Sequence, residues 1–232
     1  MIYVTGDTHG GEARWTKACL PVIDRMTEND YIIVCGDFGY IFTGSRRENA
    51  FLDKLEKFPF TILFVDGNHE AFPLIYSYPQ EIWNGGKIHR IRKNVIHLMR
   101  GQVFTIDGQR IFTMGGAYSI DKPMRTEGVS WWPEEMPSEE EFKEAEENLS
   151  RVEREVDYVI THAAPEETMS MFHPWHPDES RLNGFLEWIR ETVKYKHWYF
   201  GHLHEDCDLW RHQTVLWYEV RDMLTNEKVE EV

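Results

Sequence analysis

No apolar run in this chain approaches the ~20 residues needed to cross a bilayer, so a membrane-spanning helix is excluded. Cysteine is scarce: Cys19, Cys35 and Cys207 are odd in number and lack CxxC spacing, so a disulfide framework does not fit. Positive charge is also short, with 25 Lys and Arg against 40 Asp and Glu. The resulting formal charge of −15 disfavours a general nucleic-acid-binding surface, which needs cations to neutralise phosphates. Three nucleophile or phosphate signatures are missing: a GxSxG elbow, a GxxxxGK[ST] loop, and a GxGxxG after the first strand. No basic and then apolar segment precedes the first strand at Ile2, and the expected location is a reducing cytoplasm.

What is present suits a globular chain. The 232 residues are 41% hydrophobic and 14% aromatic, enough for one well-cored domain over 1–232 with no internal repeat or low-complexity linker. Part of the negative charge is local, since residues 134–155 hold ten Glu against Lys143, Arg151 and Arg154. Ser138 followed by Glu141 forms a capping-box pattern, and the block reads as a solvated helix near 138–154.

The first half alternates strand and helix patterns: strands at 2–6, 31–36 and 61–66, with helices expected near 12–26 and 46–57. That order implies parallel strands with right-handed crossovers. Short strands are expected at 95–99, 102–106 and 110–114, the last two joined at Asp107-Gly108. Residues 117–137 are irregular, broken by Pro123, Gly128, Pro133 and Pro137. A strand at 156–161, a helix near 180–194, a strand at 197–201 and an antiparallel pair from 206–211 and 214–220 complete a mixed α/β layered fold.

Five segments carry the chemistry: Gly6-Asp7-Thr8-His9-Gly10, Gly36-Asp37-Phe38-Gly39, Gly67-Asn68-His69-Glu70, Thr161-His162-Ala163 and Gly201-His202-Leu203-His204. Each follows a strand pattern, and the ends of several strands can converge at one edge of a sheet. Residues i and i+2 of an extended segment share a side, so Asp7 with His9, and His202 with His204, can each grip one ion. Donors of this kind, without Cys, suit divalent manganese, iron or zinc. Asp7, His9, Asp37, Asn68, His69, His162, His202 and His204 exceed the four ligands of a closed structural zinc site. They suit two ions sharing a carboxylate. Two metals about 3.5–4 Å apart stabilise both the attacking and the leaving oxygen of an in-line displacement, with a metal-held hydroxide as nucleophile.

The ordered set GDTHG, GDFG, GNHE, THAAP and GHLH resembles the calcineurin-like metallophosphoesterase superfamily over residues 6–204. The resemblance implies a four-layer sandwich of two mixed β-sheets flanked by α-helices. It also implies a di-metal centre in which Asp7, His9 and His204 hold one ion, Asn68, His162 and His202 the other, and Asp37 bridges them. Asn68 would also orient a phosphate oxygen. By the same resemblance, His69 contacts the phosphate and helps to protonate the leaving group. Many relatives read GDxxDRG in the second block. Here Gly36-Asp37-Phe38-Gly39-Tyr40-Ile41 lacks the later Asp and the phosphate-gripping Arg, which argues against a Ser/Thr protein phosphatase.

Arg46, Arg47, Arg90, Arg92, Lys93, Lys122 and Arg125 are candidates to replace that arginine. Glu70 is expected to orient its neighbours. His173, Pro174, Trp175 and His176 are candidates for the rim. Trp131, Trp132, Phe72, Tyr76, Tyr78 and Trp83 either cover the core or line a substrate pocket. The expected activity is metal-dependent hydrolysis of a small or nucleotide-like phosphomonoester or phosphodiester. The alternatives are a nuclease acting on short oligonucleotides, or a non-catalytic metal-binding scaffold. The expected partner is a small or nucleotide-like phosphate ester, with neither general nucleic-acid binding nor a membrane.

Overall fold

The structure is a computed structural model, and it describes residues 1–174 and 176–230. The first expectations hold at β1 (Ile2–Thr5), β2 (Tyr31–Val34) and β3 (Thr61–Phe64). These strands alternate apolar residues to both faces. In β2, Ile33 enters the core between the two sheets, whereas Ile32 and Val34 face the outer core. Helix α1 (Arg46–Leu55) starts where the Ser45 side chain accepts from the Glu48 amide, and it buries Phe51, Leu52 and Leu55.

The expected helix over 12–26 is not formed as an α-helix. A single 3-10 turn, Glu12–Trp15, is followed by further turns to Met26. Pro21 explains the difference, since it removes one N–H and disfavours helical geometry at Leu20. Trp15, Leu20, Val22, Ile23 and Met26 are still buried, in the core that α1 covers, whereas Ala13 and Ala18 are exposed.

A short helix α2 (Phe72–Ile75) leads to the hairpin β4 (Gln80–Trp83) and β5 (Gly86–Arg90), which the sequence reading did not anticipate. Next come β6 (Val95–Leu98), β7 (Gln102–Ile106) and β8 (Gln109–Met114), with Asp107-Gly108 turning the last pair. Helix α3 (Glu139–Arg151) carries the anticipated capping box and seats Phe142, Ala145 and Leu149 inward. Then follow β9 (Tyr158–Thr161), the short α4 (Glu166–Met169), α5 (Ser180–Thr192) and β10 (His197–Phe200). The chain ends through β11 (Cys207–Leu209), β12 (Gln213–Val215) and β13 (Val220–Asp222).

Among the described residues the strands form two mixed sheets. One has seven strands in the order β13-β1-β2-β3-β6-β5-β4, and the other six in the order β11-β12-β10-β9-β8-β7. They face each other across Ile2, Val4, Ile33, Leu63, Ile111, Ile160 and Tyr199. Helix α1 covers the outside of the first sheet, and α3 with α5 covers the outside of the second. This is the expected four-layer sandwich. Strands β1, β2 and β3 are parallel in the first sheet, as are β8, β9 and β10 in the second. Their C-terminal ends therefore open toward one edge. No helix among the described residues is long and apolar enough to cross a membrane.

Candidate metal centre

Every predicted ligand leaves the tip of one of these strands. Asp7, Asp37 and Asn68 come from β1, β2 and β3, while His162, His202 and His204 come from β9 and β10. Side chains from both sheets meet between the tips. Asp7, His9 and His204 form one group of converging donor atoms; Asp7, Asp37 and His162 form a second. Asp7 is therefore common to both groups. Asp37 also reaches both sides, with Oδ2 3.8 Å from His9 Nδ1 and Oδ1 3.5 Å from His162 Nε2.

The route to this arrangement differs from strand alternation. Strand β1 ends at Thr5, and His9 (φ 45°), Asp37 (φ 46°), His202 (φ 68°) and His204 (φ 53°) all adopt left-handed backbone conformations. His9 reaches the side of Asp7 by a turn rather than an extended chain. His, Asp and Asn tolerate this region better than other non-glycine residues, because their polar side chains satisfy nearby backbone groups. Close approach requires glycine at several points, including two between the sheets. A Cβ at Gly36, itself at φ 95°, would collide with the His162 ring, and one at Gly201 would collide with the Asp7 carboxylate.

The first group meets at a point. His9 Nε2 and His204 Nε2 are 2.8 Å apart, and Asp7 Oδ2 lies 3.1 Å from His204 Nε2. That carboxylate oxygen is buried and accepts no hydrogen bond. A buried, unpartnered carboxylate oxygen facing two imidazole nitrogens is a donor set that a divalent cation completes. The second group is oriented from behind. His162 Nδ1 lies 2.8 Å from the Cys35 carbonyl oxygen, to which it donates, so its Nε2 is turned toward Asn68 Oδ1 at 3.2 Å. The His202 amide donates to Asp7 Oδ1 at 3.0 Å, and its ring packs edge-on against His162. These residues fit the metal centre anticipated for them.

A donor chain fixes the Asn68 amide. Glu135 is fully buried and accepts from both the amide and the hydroxyl of Ser119, each at 2.8 Å. The Ser119 hydroxyl directs its one O–H at that carboxylate. It therefore accepts from Asn68 Nδ2 at 3.0 Å, which turns Oδ1 toward His162. Glu70 also serves as an orienter: its two oxygens accept from the amides of Phe38 and Gly39, bracing the loop of Asp37. Burial, with Asp37 adding to it, pushes the Glu70 carboxyl well above the usual carboxylate range.

Electrostatics follow from burial and charge. Burial works against ionisation of Asp7, but His162, His204 and His9 outweigh it and bring its pKa to about 2. Burial likewise opposes charge on His162, yet Asp37 and Asp7 lift its pKa to about 10. His202 is held near 3 by burial, with His162 adding to the effect, and is thus already neutral. A cation needs neutral imidazole. At pH 7–8 the proton on metal-free His162 must therefore leave when metal binds, and affinity should rise with pH up to about 10. Calorimetric titration with Mn2+ in two buffers of different ionisation enthalpy should show at least one proton released; no release would refute this charge assignment.

Over the centre lies a cavity of about 590 Å³, lined by Asp37, Asn68, His69, Arg125, His202 and His204 among others. His173, Pro174 and His176 line it too, as anticipated for the rim; Trp175 lies outside the described residues. Among the described residues, the Phe, Tyr or Trp side chain in its wall is Tyr118, stacked on His176. Trp132 and Phe72 instead form a buried cluster, and Trp83 packs against the interlayer core. Of the seven candidate cations only Arg125 lines this cavity; Arg47, Arg90, Arg92 and Lys122 pair with Glu12, Glu81, Asp53 and Glu135.

A family model described as calcineurin-like phosphoesterase matches residues 1–206. One solved crystal structure aligns over 98% of this chain and 96% of its own, with a TM-score of 0.55 and 11% identity. At that identity the likeness concerns the fold. No curated protein matches.

Proposed function

The chain belongs to the calcineurin-like phosphoesterase family, and from that premise we propose that it hydrolyses small phosphate esters using two divalent cations. The observation that supports this reading is the convergence of the candidate ligands. Asp7, His9, Asp37, Asn68, His162, His202 and His204 all gather beneath an open cavity. A non-catalytic scaffold would have no need to keep all of them. A nuclease is disfavoured because the cavity wall offers a single Lys or Arg to a polyanion.

When bound, two cations would neutralise phosphate charge and make water nucleophilic near neutral pH. The residues of the chain do the rest. Asp7 and Asp37 stay ionised, and the buried His202 supplies a neutral nitrogen donor. His69, whose amide donates to Asp37 Oδ1 at 2.8 Å, stands at the cavity wall. Burial lowers its pKa; the Arg125 charge adds to this, while Asp37 opposes it. A neutral His69 can donate one N–H to a phosphate or leaving oxygen, so its charge state supports positioning more than proton transfer.

The test uses p-nitrophenyl phosphate and bis-p-nitrophenyl phosphate with added Mn2+, with and without chelator. Hydrolysis of at least one ester, abolished by chelator and restored by Mn2+, is expected. No chelator-sensitive hydrolysis of either between pH 6 and 9 would defeat the proposal.

A further inference from the structure

The arginine missing from the second block has a counterpart supplied by a distant stretch of chain. We infer that Arg125 binds the free oxygens of the substrate phosphate and selects a phosphomonoester dianion over a diester. The inference deepens the phosphoesterase reading, yet its test is one of binding and does not depend on turnover.

The guanidinium is held rather than loose. Its Nε donates to Asp121 Oδ2 at 2.8 Å, and one terminal nitrogen donates to the Ser130 carbonyl at 3.2 Å. The two terminal nitrogens lie 3.2 and 3.0 Å from His69 Nδ1 and Nε2, so the fork runs alongside the imidazole that follows Asn68 in the chain. The side chain is only 16% exposed.

Segment 117–135, which presents this arginine, is pinned from beneath by Glu135. That buried carboxylate holds Ser119 and pairs with Lys122 Nζ at 2.7 Å. Lys122 is further engaged by the faces of Tyr118 and Trp131, at 3.9 and 4.6 Å. Lys122 is thereby committed to structure. Arg125 is left as the cation of the cavity wall.

Selectivity follows from counting oxygens. A guanidinium fork matches two phosphate oxygens at once. A monoester has three non-bridging oxygens and two negative charges when ionised, whereas a diester has two such oxygens and one charge. Cations held by Asp7, Asp37 and His162 would take up one phosphate oxygen; a monoester would then leave two for Arg125 and a diester one. The cavity volume of about 590 Å³ suits a small ester.

The experiment compares the whole wild-type chain with Arg125→Ala and, as a variant of closer size, Arg125→Gln. Each is first titrated with Mn2+, then, Mn2+-loaded, with inorganic phosphate and separately with dimethyl phosphate, by calorimetry. Phosphate affinity is expected to fall at least about tenfold in both variants, the scale of losing a charge-assisted pair. Dimethyl phosphate affinity should change less than about threefold, and Mn2+ affinity less than about twofold, since Arg125 is outside the ligand set. Unchanged phosphate affinity, equal losses for the two anions, or a Mn2+-loaded wild type that does not bind phosphate would each overturn the inference. Should wild type bind phosphate through Arg125 yet hydrolyse neither nitrophenyl ester, the phosphoesterase reading falls while this binding site stands.

Discussion

Replacing Asp37 by Asn is expected to reduce ester hydrolysis by at least about 10³-fold while leaving the chain folded. The expectation exceeds the ~10–100-fold typical of losing an orienting partner, because Asp37 faces donors of both groups directly. The carboxylate is buried, and it remains ionised because His162, His69 and His9 outweigh the penalty of burial. Asn keeps the shape and tolerates the left-handed backbone at φ 46°, so the Asp37 loop, braced by Glu70, should persist. The charge is lost. One amide N–H₂ would then point at an imidazole nitrogen or at the space a cation would fill. The measurements are turnover, bound metal by elemental analysis, and thermal unfolding of the same preparation. Full turnover with native metal content would defeat the proposed centre.

The second large effect concerns stability and lies one layer beneath the site. Asp66→Ala should destabilise the protein by about 3–5 kcal/mol, the range for breaking a buried ion pair from one side. Arg100 and Asp66 are both nearly inaccessible, and Arg100 Nε donates to Asp66 Oδ2 at 2.8 Å. His97 Nε2 lies 3.0 Å from the other Asp66 oxygen. Arg100 also donates to the carbonyls of Glu134 and Glu135 and packs over the Phe72 ring. Removing Asp66 strands a guanidinium in a low-dielectric interior. The pH dependence has a definite sign. Burial alone would raise the Asp66 pKa, but Arg100 and His97 bring it well below the unfolded value of about 3.9. The contribution is therefore present above about pH 4 and is lost as pH falls toward the folded pKa. Urea unfolding at pH 7 should show the full deficit, narrowing in acid. A deficit under about 1 kcal/mol at pH 7 would mean that Arg100 finds water once Asp66 is gone.

The sequence made the inner architecture legible because buried strands are written as unbroken apolar runs. Tyr31 to Val34 and Tyr158 to Ile160 are such runs, each delivering a candidate ligand just beyond its end. The capping box at Ser138 and Glu141 was equally plain. The hairpin of β4 and β5 was not, since Gln80-Glu81-Ile82-Trp83 is largely exposed and its alternation runs against the usual sense. Its turn, Asn84-Gly85, was the available signal. The stretch 12–26 misled for the opposite reason: apolar spacing suited a helix, but Pro21 and successive turns bury Trp15, Val22 and Met26 without one.

At the site, residue type gave the candidate ligands and Glu70 behind them, but missed the other supports. Glu135 sits in an acidic block that reads as solvated, yet it is fully buried because Ser119 and Lys122 satisfy it. Nothing in charge pattern alone separates such a carboxylate from its exposed neighbours. Arg125 was one of seven equivalent cations until folding brought one of them beside His69.

The donors are divided between two sheets that touch mainly through apolar side chains. Metal coordination tolerates errors of about 0.2 Å, whereas apolar packing specifies relative position only as well as its side chains interlock. Ile33, Leu63, Ile111 and Ile160 thus act as the gauge that sets the spacing of the cation ligands, although none of them is itself a ligand. Trimming a methylene among them would reach the site as a displaced imidazole, so fidelity in this oily seam is part of what the proposed chemistry demands of the sequence.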